Sequence, residues 1–475
     1  MKVLVIALNR SRQPMAVMPY GACVAAQAAL GAGHETRLLD LMFEKDPARA
    51  LERACREFRP EVAGFSLRNI DNNDIRTPVF YPGDAASLMA LARRTCGAKI
   101  VLGGAAVAVM PEALLRRSGA DCCVLGDAAA VFPRLLAVLA SGGDPLSVPG
   151  TGVITAGEYS ANPLDLSVPS GSGLFPEFGR WLDLRAYARH MTSAPLKTKL
   201  GCPFGCVYCT YPVGEGKAYR LSPPAEALRA VRELVAGGVR DIEFVDNVFN
   251  SPHAHAMELC SLLSANRTGA RFHTMELNPE FTDDALLGAM ARAGFAGIGI
   301  TAESADDGVL AALGKNYRLE HLARAAAAVA RHDIPCMWIF MVGGPGETKE
   351  TVARTLDFAR QRVRTSDSVF FNAGVRMYPG TPLEAAARHE GSLTKTPAEM
   401  LEPVFYLSPA IDKAWLLETL AAATRENMNF INSDSLALPY LSGLYALAHF
   451  AGVKQPLWKH TRHLRRGLMS LGVNA

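Results

Sequence analysis

The chain carries almost no excess charge: 49 Lys and Arg against 46 Asp and Glu leave a net +3 over 475 residues, too little to mark a nucleic-acid partner. It shows no long apolar leader. Met1-Lys2-Val3-Leu4-Val5-Ile6-Ala7-Leu8 passes at once to Asn9 and Arg10, without an h-region or a small-residue cleavage site. The segment reads as a first β-strand, and the expected compartment is the cytoplasm. Leu436 to Val453 is nearly all apolar but holds Pro439, Ser442 and His449, which favours a buried terminal helix over a membrane span. Cysteines number only 10 and follow no evenly spaced framework, which argues against a disulfide-built scaffold. No G-x-G-x-x-G turn follows the first strand, so a nicotinamide dinucleotide is disfavoured. A hydrophobic share of 49% with 20% charged residues fits an enzyme with a large core and two or three domains.

What the chain does have is concentrated in Gly201-Cys202-Pro203-Phe204-Gly205-Cys206-Val207-Tyr208-Cys209, three thiols at C-x3-C-x2-C spacing. Three close thiolates can hold three irons of a cubane and leave the fourth iron open to a small molecule, which a four-cysteine site cannot do. The alternative is a zinc knot, but zinc normally takes four protein ligands in paired form, and no second pair lies nearby.

The first 145 residues alternate short apolar strands (Lys2 to Leu8, Glu35 to Leu41, Val62 to Arg68, Lys99 to Leu102, Cys122 to Leu125) with helical stretches. That pattern predicts a doubly wound parallel sheet, whose ligands bind outside the strand C-terminal ends. Those ends carry Asn9, then Ser66, Leu67, Arg68 and Asn69, then Gly103 and Gly104, then Gly126 and Asp127. Residues 146–190 are rich in Pro, Gly and Ser and read as a linker. From 191 to 400 six strand-helix units follow, an incomplete (β/α) barrel with its reactive centre at the strand C-terminal ends. Residues 401–475 read as a mainly helical domain, without repeats or low-complexity tracts.

The cysteine segment closely resembles the radical S-adenosylmethionine superfamily, down to the aromatic Tyr208 before the last cysteine. The family resemblance assigns Cys202, Cys206 and Cys209 to a [4Fe-4S] cluster. It places S-adenosylmethionine against further strand-end residues: Tyr208, Asp246 and Asn247, then Glu303 and Ser304 in Gly299-Ile300-Thr301-Ala302-Glu303-Ser304, Gly343 and Pro345 in a glycine-rich turn, and Arg376. The two-residue spacing Thr301-Ala302 departs from the family's Gly-Ile-Glu-Ser. The N-terminal domain resembles the cobalamin-binding domain of that superfamily's cobalamin-dependent branch, which implies cobalamin over Asn9, Ser66, Leu67, Arg68, Asn69, Gly103, Gly104, Gly126 and Asp127. Such domains often carry an Asp-x-His-x-x-Gly loop, but the single N-terminal histidine, His34, leads into the second strand at the wrong end of the sheet. Cobalamin is therefore expected without an imidazole ligand, with Arg68 and Asn69 beneath the cobalt; the competing expectation is that Arg68 pairs with Asp71 or Asp74.

Cys23, Cys55 and Cys96 invite comparison with the methylthiotransferases, yet neither Cys55 nor Cys96 lies at a strand C-terminal end, and isolated buried thiols are the simpler reading. The basic tail Lys454 to Arg466 could meet anionic lipid or an acidic substrate, though a solvated helix face is commoner. Together the resemblance implies a cobalamin-dependent radical methyltransferase. It would act on an unactivated carbon, or a phosphinate phosphorus, of a small natural-product or lipid precursor. The 5'-deoxyadenosyl radical would take hydrogen, and methylcobalamin would supply the methyl. A flavodoxin or ferredoxin would donate electrons, the expected state is a monomer, and general acid or base residues are not legible. The alternatives are a cobalamin-dependent radical cyclase or ring-rearranging enzyme without methyl transfer, and a non-catalytic cobalamin or iron-sulfur binding protein.

Overall fold

In the computed structural model, residues 1–166, 174–432 and 441–470 are described. The N-terminal strands β1 (Lys2–Ala7), β2 (Glu35–Asp40), β3 (Val62–Ser66), β4 (Lys99–Gly103) and β5 (Cys122–Val124) form a parallel sheet in the order β2-β1-β3-β4-β5. Val3, Leu4, Val5 and Ile6 are at most 2% exposed, as expected for a parallel strand covered on both faces by helices. His34 lies beside the N-terminal amine at 3.5 Å, at the end of the sheet opposite to the ligand-binding loops.

Residues 146–190 are more than a connection. β6 (Thr151–Thr155) and β7 (Glu158–Asn162) add to this sheet as an antiparallel hairpin on β5. Their Ala156-Gly157 turn has both residues at positive φ, so the glycine content that reads as linker serves a tight hairpin.

The second sheet contains β8 (Ala194–Leu196), β11 (Asp241–Phe244), β12 (Arg271–Leu277), β13 (Phe295–Glu303), β14 (Cys336–Val342), β15 (Ser368–Ala373) and β18 (Phe430–Asn432), all paired in parallel. Two short antiparallel ribbons accompany it: β9 (Lys199–Leu200) with β10 (Arg220–Leu221), and β16 (Val375–Arg376) with β17 (Phe405–Tyr406). β15 and β16 are separated at Gly374, whose φ is +69 and whose absent Cβ makes room for Ile75 of the first sheet's loops at 2.9 Å. β18 supplies a seventh strand from the C-terminal region, which is therefore not purely helical.

The two layers share one hydrophobic core. Leu67, Ile70 and Met110 of the N-terminal part belong to the same buried cluster as Leu313, Met377, Leu383 and Tyr406. The tail begins as a plug, and the helix that follows keeps an exposed face at His463, Leu464 and Arg466. Gln455 is 5% exposed and bonds Met191 O and Ser193 Oγ, Ser368 Oγ donates to Trp458 O at 3.0 Å, and Pro456 packs where Gly297 has no side chain. These contacts lie at the N-terminal ends of the barrel strands, away from the cysteine loop.

Residues 433–440 of the stretch Leu436 to Val453 lie outside the described residues. Its remainder includes the helix Leu441–Phe450. That helix is not buried as expected, since Leu447 and Phe450 are 66% and 82% exposed. Among the described residues no helix is long and apolar enough to cross a membrane.

Candidate cofactor site at the domain junction

The cysteine loop leaves β9 through Gly201, whose φ is +85 and where a Cβ would stand 2.1 Å from Ala218 O; only glycine turns the chain there. Both flanks of the loop are held by backbone bonds: Cys202 N to Gly216 O at 3.1 Å, Val207 N to Leu313 O at 3.1 Å, and Leu383 N to Val207 O at 3.0 Å. Burial raises the thiol pKa of Cys202 and lifts that of Cys209 to about 12, and the neighbouring thiols add to both shifts. Thiols held protonated in this way are discharged by metal, because binding replaces their protons. Among the described residues no three His, Cys, Asp or Glu side chains are gathered as one metal ion needs. A cubane instead spreads three thiolates over three irons.

Beside this loop lies a buried polar triad. Tyr208 OH donates to Glu303 Oε1 at 2.6 Å, and Lys315 Nζ donates to the same oxygen at 3.1 Å and to Tyr208 OH at 3.2 Å. Glu303 sits at φ +57, a left-handed conformation that a non-glycine residue holds only when its surroundings fix it. Burial pulls the Lys315 ammonium down, but Tyr208, Tyr317, Glu303 and Cys206 outweigh it, so the amine stays charged. Lys315 was not legible beforehand; it lies in an ordinary loop, Gly314-Lys315-Asn316.

Other expected contacts are placed differently. Asp246 is fully buried and spent on the chain: it accepts from Thr198 N and Thr198 Oγ1, each at 2.6 Å, and from Lys199 N at 3.2 Å, with Lys199 Nζ 3.6 Å away. It anchors the root of the cysteine loop and offers the cavity no free oxygen. Asn247 stays half-buried at that root, donating to Glu215 Oε2 at 2.7 Å, and Glu215 in turn pairs with Lys197. Ser304 is buried against Thr355 at 3.3 Å. Gly343 and Gly344 give their amides to Glu347 at 2.7 and 3.3 Å, so the turn containing half-buried Pro345 is braced from behind. Arg376, expected at the cofactor, instead clamps the domains. Its Nε donates to Asp71 at 2.8 Å and its Nη2 to Met400 O at 2.8 Å, and it also bonds Met377 O.

Two residues that the sequence reading passed over line the barrel interior. Glu243 on β11 and Glu276 on β12 have raised pKa values, Glu276 to about 8, first from burial and then, for Glu276, from the Glu303 and Glu243 charges. Their signal was present: a parallel strand covered on both faces should be apolar throughout, and these glutamates break that rule. Tyr211 is 52% exposed, yet burial raises its phenol pKa, as do Glu276, Glu215 and Cys209, while Arg68 opposes them.

Opposite these residues stand the strand ends of the first sheet. Gly104, at φ +107, lets its backbone meet Leu67, whose oxygen would lie 2.3 Å from a Cβ, and Leu67 N bonds Gly103 O at 2.8 Å. Gly126 meets Gly214 O at 2.6 Å from where its Cβ would be. Asn9 accepts from Ser11 N at 3.3 Å, while Ser66 and Asn69 are half-buried at the same rim. Asp71 is taken by Arg376, and Asp74 by Thr77 Oγ1 at 2.8 Å and Arg76 N at 2.9 Å. Arg68 is thus left exposed without an ion pair among the described residues, and its charge reaches Glu243 and Tyr211 across the gap. A flat macrocycle suits this shelf of glycine turns with one free cation, and a sulfonium-bearing molecule suits the carboxyl-lined barrel mouth. Cys23, Cys55 and Cys96 form no second centre: Cys55 and Cys96 neighbour each other, while Cys23 lies near Asp40.

The radical SAM superfamily model matches residues 197–359 and the B12 binding domain model residues 14–136. A tryptophan 2-C-methyltransferase of Streptomyces laurentii is 26% identical over 446 residues, covering 79% of this chain and 73% of that one. An uncharacterized methyltransferase of Pyrococcus horikoshii is 22% identical over 354 residues, 74% of each chain. In structure, the chain is similar to the radical S-adenosylmethionine methyltransferase TsrM of Kitasatospora setae, solved with cobalamin and a [4Fe-4S] cluster. The TM-score is 0.85 at 22% identity, with 99% of this chain and 98% of that one covered; TsrM has also been solved with tryptophan substrate. The two family models are matched in succession, so the chain carries a B12 binding domain followed by a radical SAM domain.

Proposed function

We propose that this enzyme transfers a methyl group from S-adenosylmethionine, by way of cobalamin, to a carbon (or a phosphinate phosphorus) of a small molecule, with tryptophan the first candidate substrate. The observation that supports the reading is that Arg68, at a strand end of the first sheet, lies close enough to Tyr211 and Glu243 beside the cysteine loop for its charge to act on both. When bound, the cluster and S-adenosylmethionine supply a reducing centre that cleaves the sulfonium, and cobalamin supplies a methyl carrier.

Cys202, Cys206 and Cys209 would hold the cluster, and the braced turn at Gly343 and Pro345 would receive the adenosine. Tyr208, Glu303 and Lys315 keep that wall rigid, since Glu303 Oε1 accepts from both Tyr208 OH and Lys315 Nζ and the ammonium also bonds the phenol. Arg68 would lie under the corrin, where a cation discourages a lower ligand. Glu243 and Glu276 would orient a cationic or N–H-bearing group, because their oxygens have no protein donor among the described residues. Electrons would come from a flavodoxin or ferredoxin, and a monomer suffices because one chain supplies both rims.

The test is an anaerobic incubation of cluster-loaded, cobalamin-loaded enzyme with methyl-deuterated S-adenosylmethionine, tryptophan and reduced flavodoxin or dithionite as electron source. Labelled product with S-adenosylhomocysteine and 5'-deoxyadenosine in about equal amounts is expected, and none from Cys206→Ala. S-adenosylhomocysteine without 5'-deoxyadenosine would keep methyl transfer and remove the radical step. Sustained 5'-deoxyadenosine without S-adenosylhomocysteine would overturn the proposal in favour of a cyclase or rearranging enzyme.

A further inference from the structure

Where β5 ends against the layer that carries the cysteine loop, three buried polar atoms have no hydrogen-bond partner among the described residues. Asp127 uses Oδ1 to cap the following helix, accepting from Ala129 N at 3.1 Å and Ala130 N at 3.4 Å, while its Oδ2 accepts nothing. Opposite, Arg220 on β10 donates Nη1 to Leu166 O at 3.3 Å, and its Nε and Nη2 find no acceptor. Nη2 and Oδ2 stand 3.8 Å apart with the side chains 18% and 6% exposed, too far for a hydrogen bond. Buried charged groups normally close such a gap or fill it.

The backbone on both sides resists closure. Gly126, next to Asp127, is already in contact with Gly214, and Asp127 is tied down by its cap. Arg220 is paired with Leu200 across the β9–β10 ribbon. The group that fits must accept from a guanidinium and donate to a carboxylate at once. A carboxylate or phosphate would face Asp127 unfavourably, and an ammonium would face Arg220 unfavourably. A primary carboxamide satisfies both, its oxygen towards Arg220 and its NH2 towards Asp127.

The rim of the corrin in B12 carries primary carboxamides, and the gap adjoins the Gly126 turn of the strand-end shelf. Resting on the B12-binding assignment, we infer that Arg220 and Asp127 together bind one peripheral carboxamide of cobalamin, and so tie cobalamin occupancy to the ribbon that carries the cysteine loop. These are positioning residues. They touch the periphery of the cofactor and act on the cluster loop through β10 and β9.

The experiment titrates hydroxocobalamin into cobalamin-free protein by absorption. The proteins compared are wild type, Asp127→Asn (which keeps the capping oxygen), Arg220→Met and the double variant. Each single change should weaken binding about tenfold. The double variant should be no more than about twofold weaker than the worse single, because both act through one group. Hydroxocobalamin derivatives with one side-chain amide hydrolysed to the acid supply an independent arm. One of them should bind wild type at least about tenfold more weakly than hydroxocobalamin, and Asp127→Asn should recover most of that loss.

Affinities within about twofold of wild type, additive losses in the double variant, or equal binding of every acid derivative would each overturn the inference. If a water fills the gap instead, the acid derivatives will bind alike. If a variant fails to fold, the derivative series on wild type decides alone. Wild-type protein that binds no hydroxocobalamin at all would overturn the B12 assignment, which distinguishes the two failures.

Discussion

Glu276 should make the cofactor-free protein less stable as pH rises, and the size of the effect follows from its surroundings. Its pKa is raised from 4.5 to about 8, first by burial, then by Glu303 and Glu243 against the opposing charge of Lys315. A carboxyl whose folded pKa lies above its unfolded value holds its proton longer in the native state. Its stabilising contribution is complete below pH 4.5 and is lost progressively as pH climbs to 8. The difference corresponds to at most about 4–5 kcal/mol, and access of water to the side chain will trim it to about half. Glu276→Gln is close to isosteric with the protonated acid, so the two proteins should unfold at the same temperature near pH 4, with a gap already opening by pH 6. Near pH 9 the variant should unfold several degrees higher, since the ionised wild-type side chain then faces two other carboxylates without a donor. Scanning fluorimetry of both proteins across that range measures the difference. A gap between them that stays flat from pH 6 to pH 9 would refute the placement of Glu276 in an enclosed, acid-lined cavity.

Gly201→Ala puts a Cβ 2.1 Å from Ala218 O; the loop must shift, and the variant should take up well under half the wild-type iron on anaerobic reconstitution, measured by iron and sulfide assay. Arg376→Met leaves Asp71 buried without its counter-ion in a pair only 4% and 0% exposed. Urea denaturation should show a loss of about 3–5 kcal/mol, and a loss under about 1 kcal/mol would remove its role as an interdomain clamp. Arg68→Ala, exposed and without an ion pair among the described residues, should change stability by less than about 0.5 kcal/mol. The absorption spectrum and reduction behaviour of bound cobalamin should nevertheless shift, and an unchanged spectrum would move Arg68 away from the corrin.

The parts of this molecule that were legible in its sequence are those where chemistry and spacing coincide. The cysteine triad needs a fixed short loop, and the alternation of apolar strands with helices repeats often enough to declare two parallel sheets. The Gly103-Gly104 and Gly126 turns could be found because close backbone approach demands glycine. Asp246 and Arg376 misled for a common reason: a polar residue at a strand end looks the same whether it faces a ligand or satisfies buried backbone. Only the three-dimensional partners Thr198 and Asp71 separate the two cases. β18 was missed because three residues carry no periodicity, and the β6–β7 hairpin because its turn chemistry resembles a linker. Glu243 and Glu276 were readable from a broken hydrophobic rule, whereas Lys315 acquires its meaning only from the fold that brings it to Glu303.

The central claim is that one chain presents a cluster-bound S-adenosylmethionine and a cobalamin to the same gap. Mass spectrometry of the corrin recovered from protein that has been reduced with excess dithionite and incubated anaerobically with methyl-deuterated S-adenosylmethionine tests it without knowledge of the substrate. Deuterated methyl on the corrin from wild type, formed alongside S-adenosylhomocysteine, is the predicted result. A corrin that stays unlabelled on protein fully loaded with cluster and cobalamin would contradict the account.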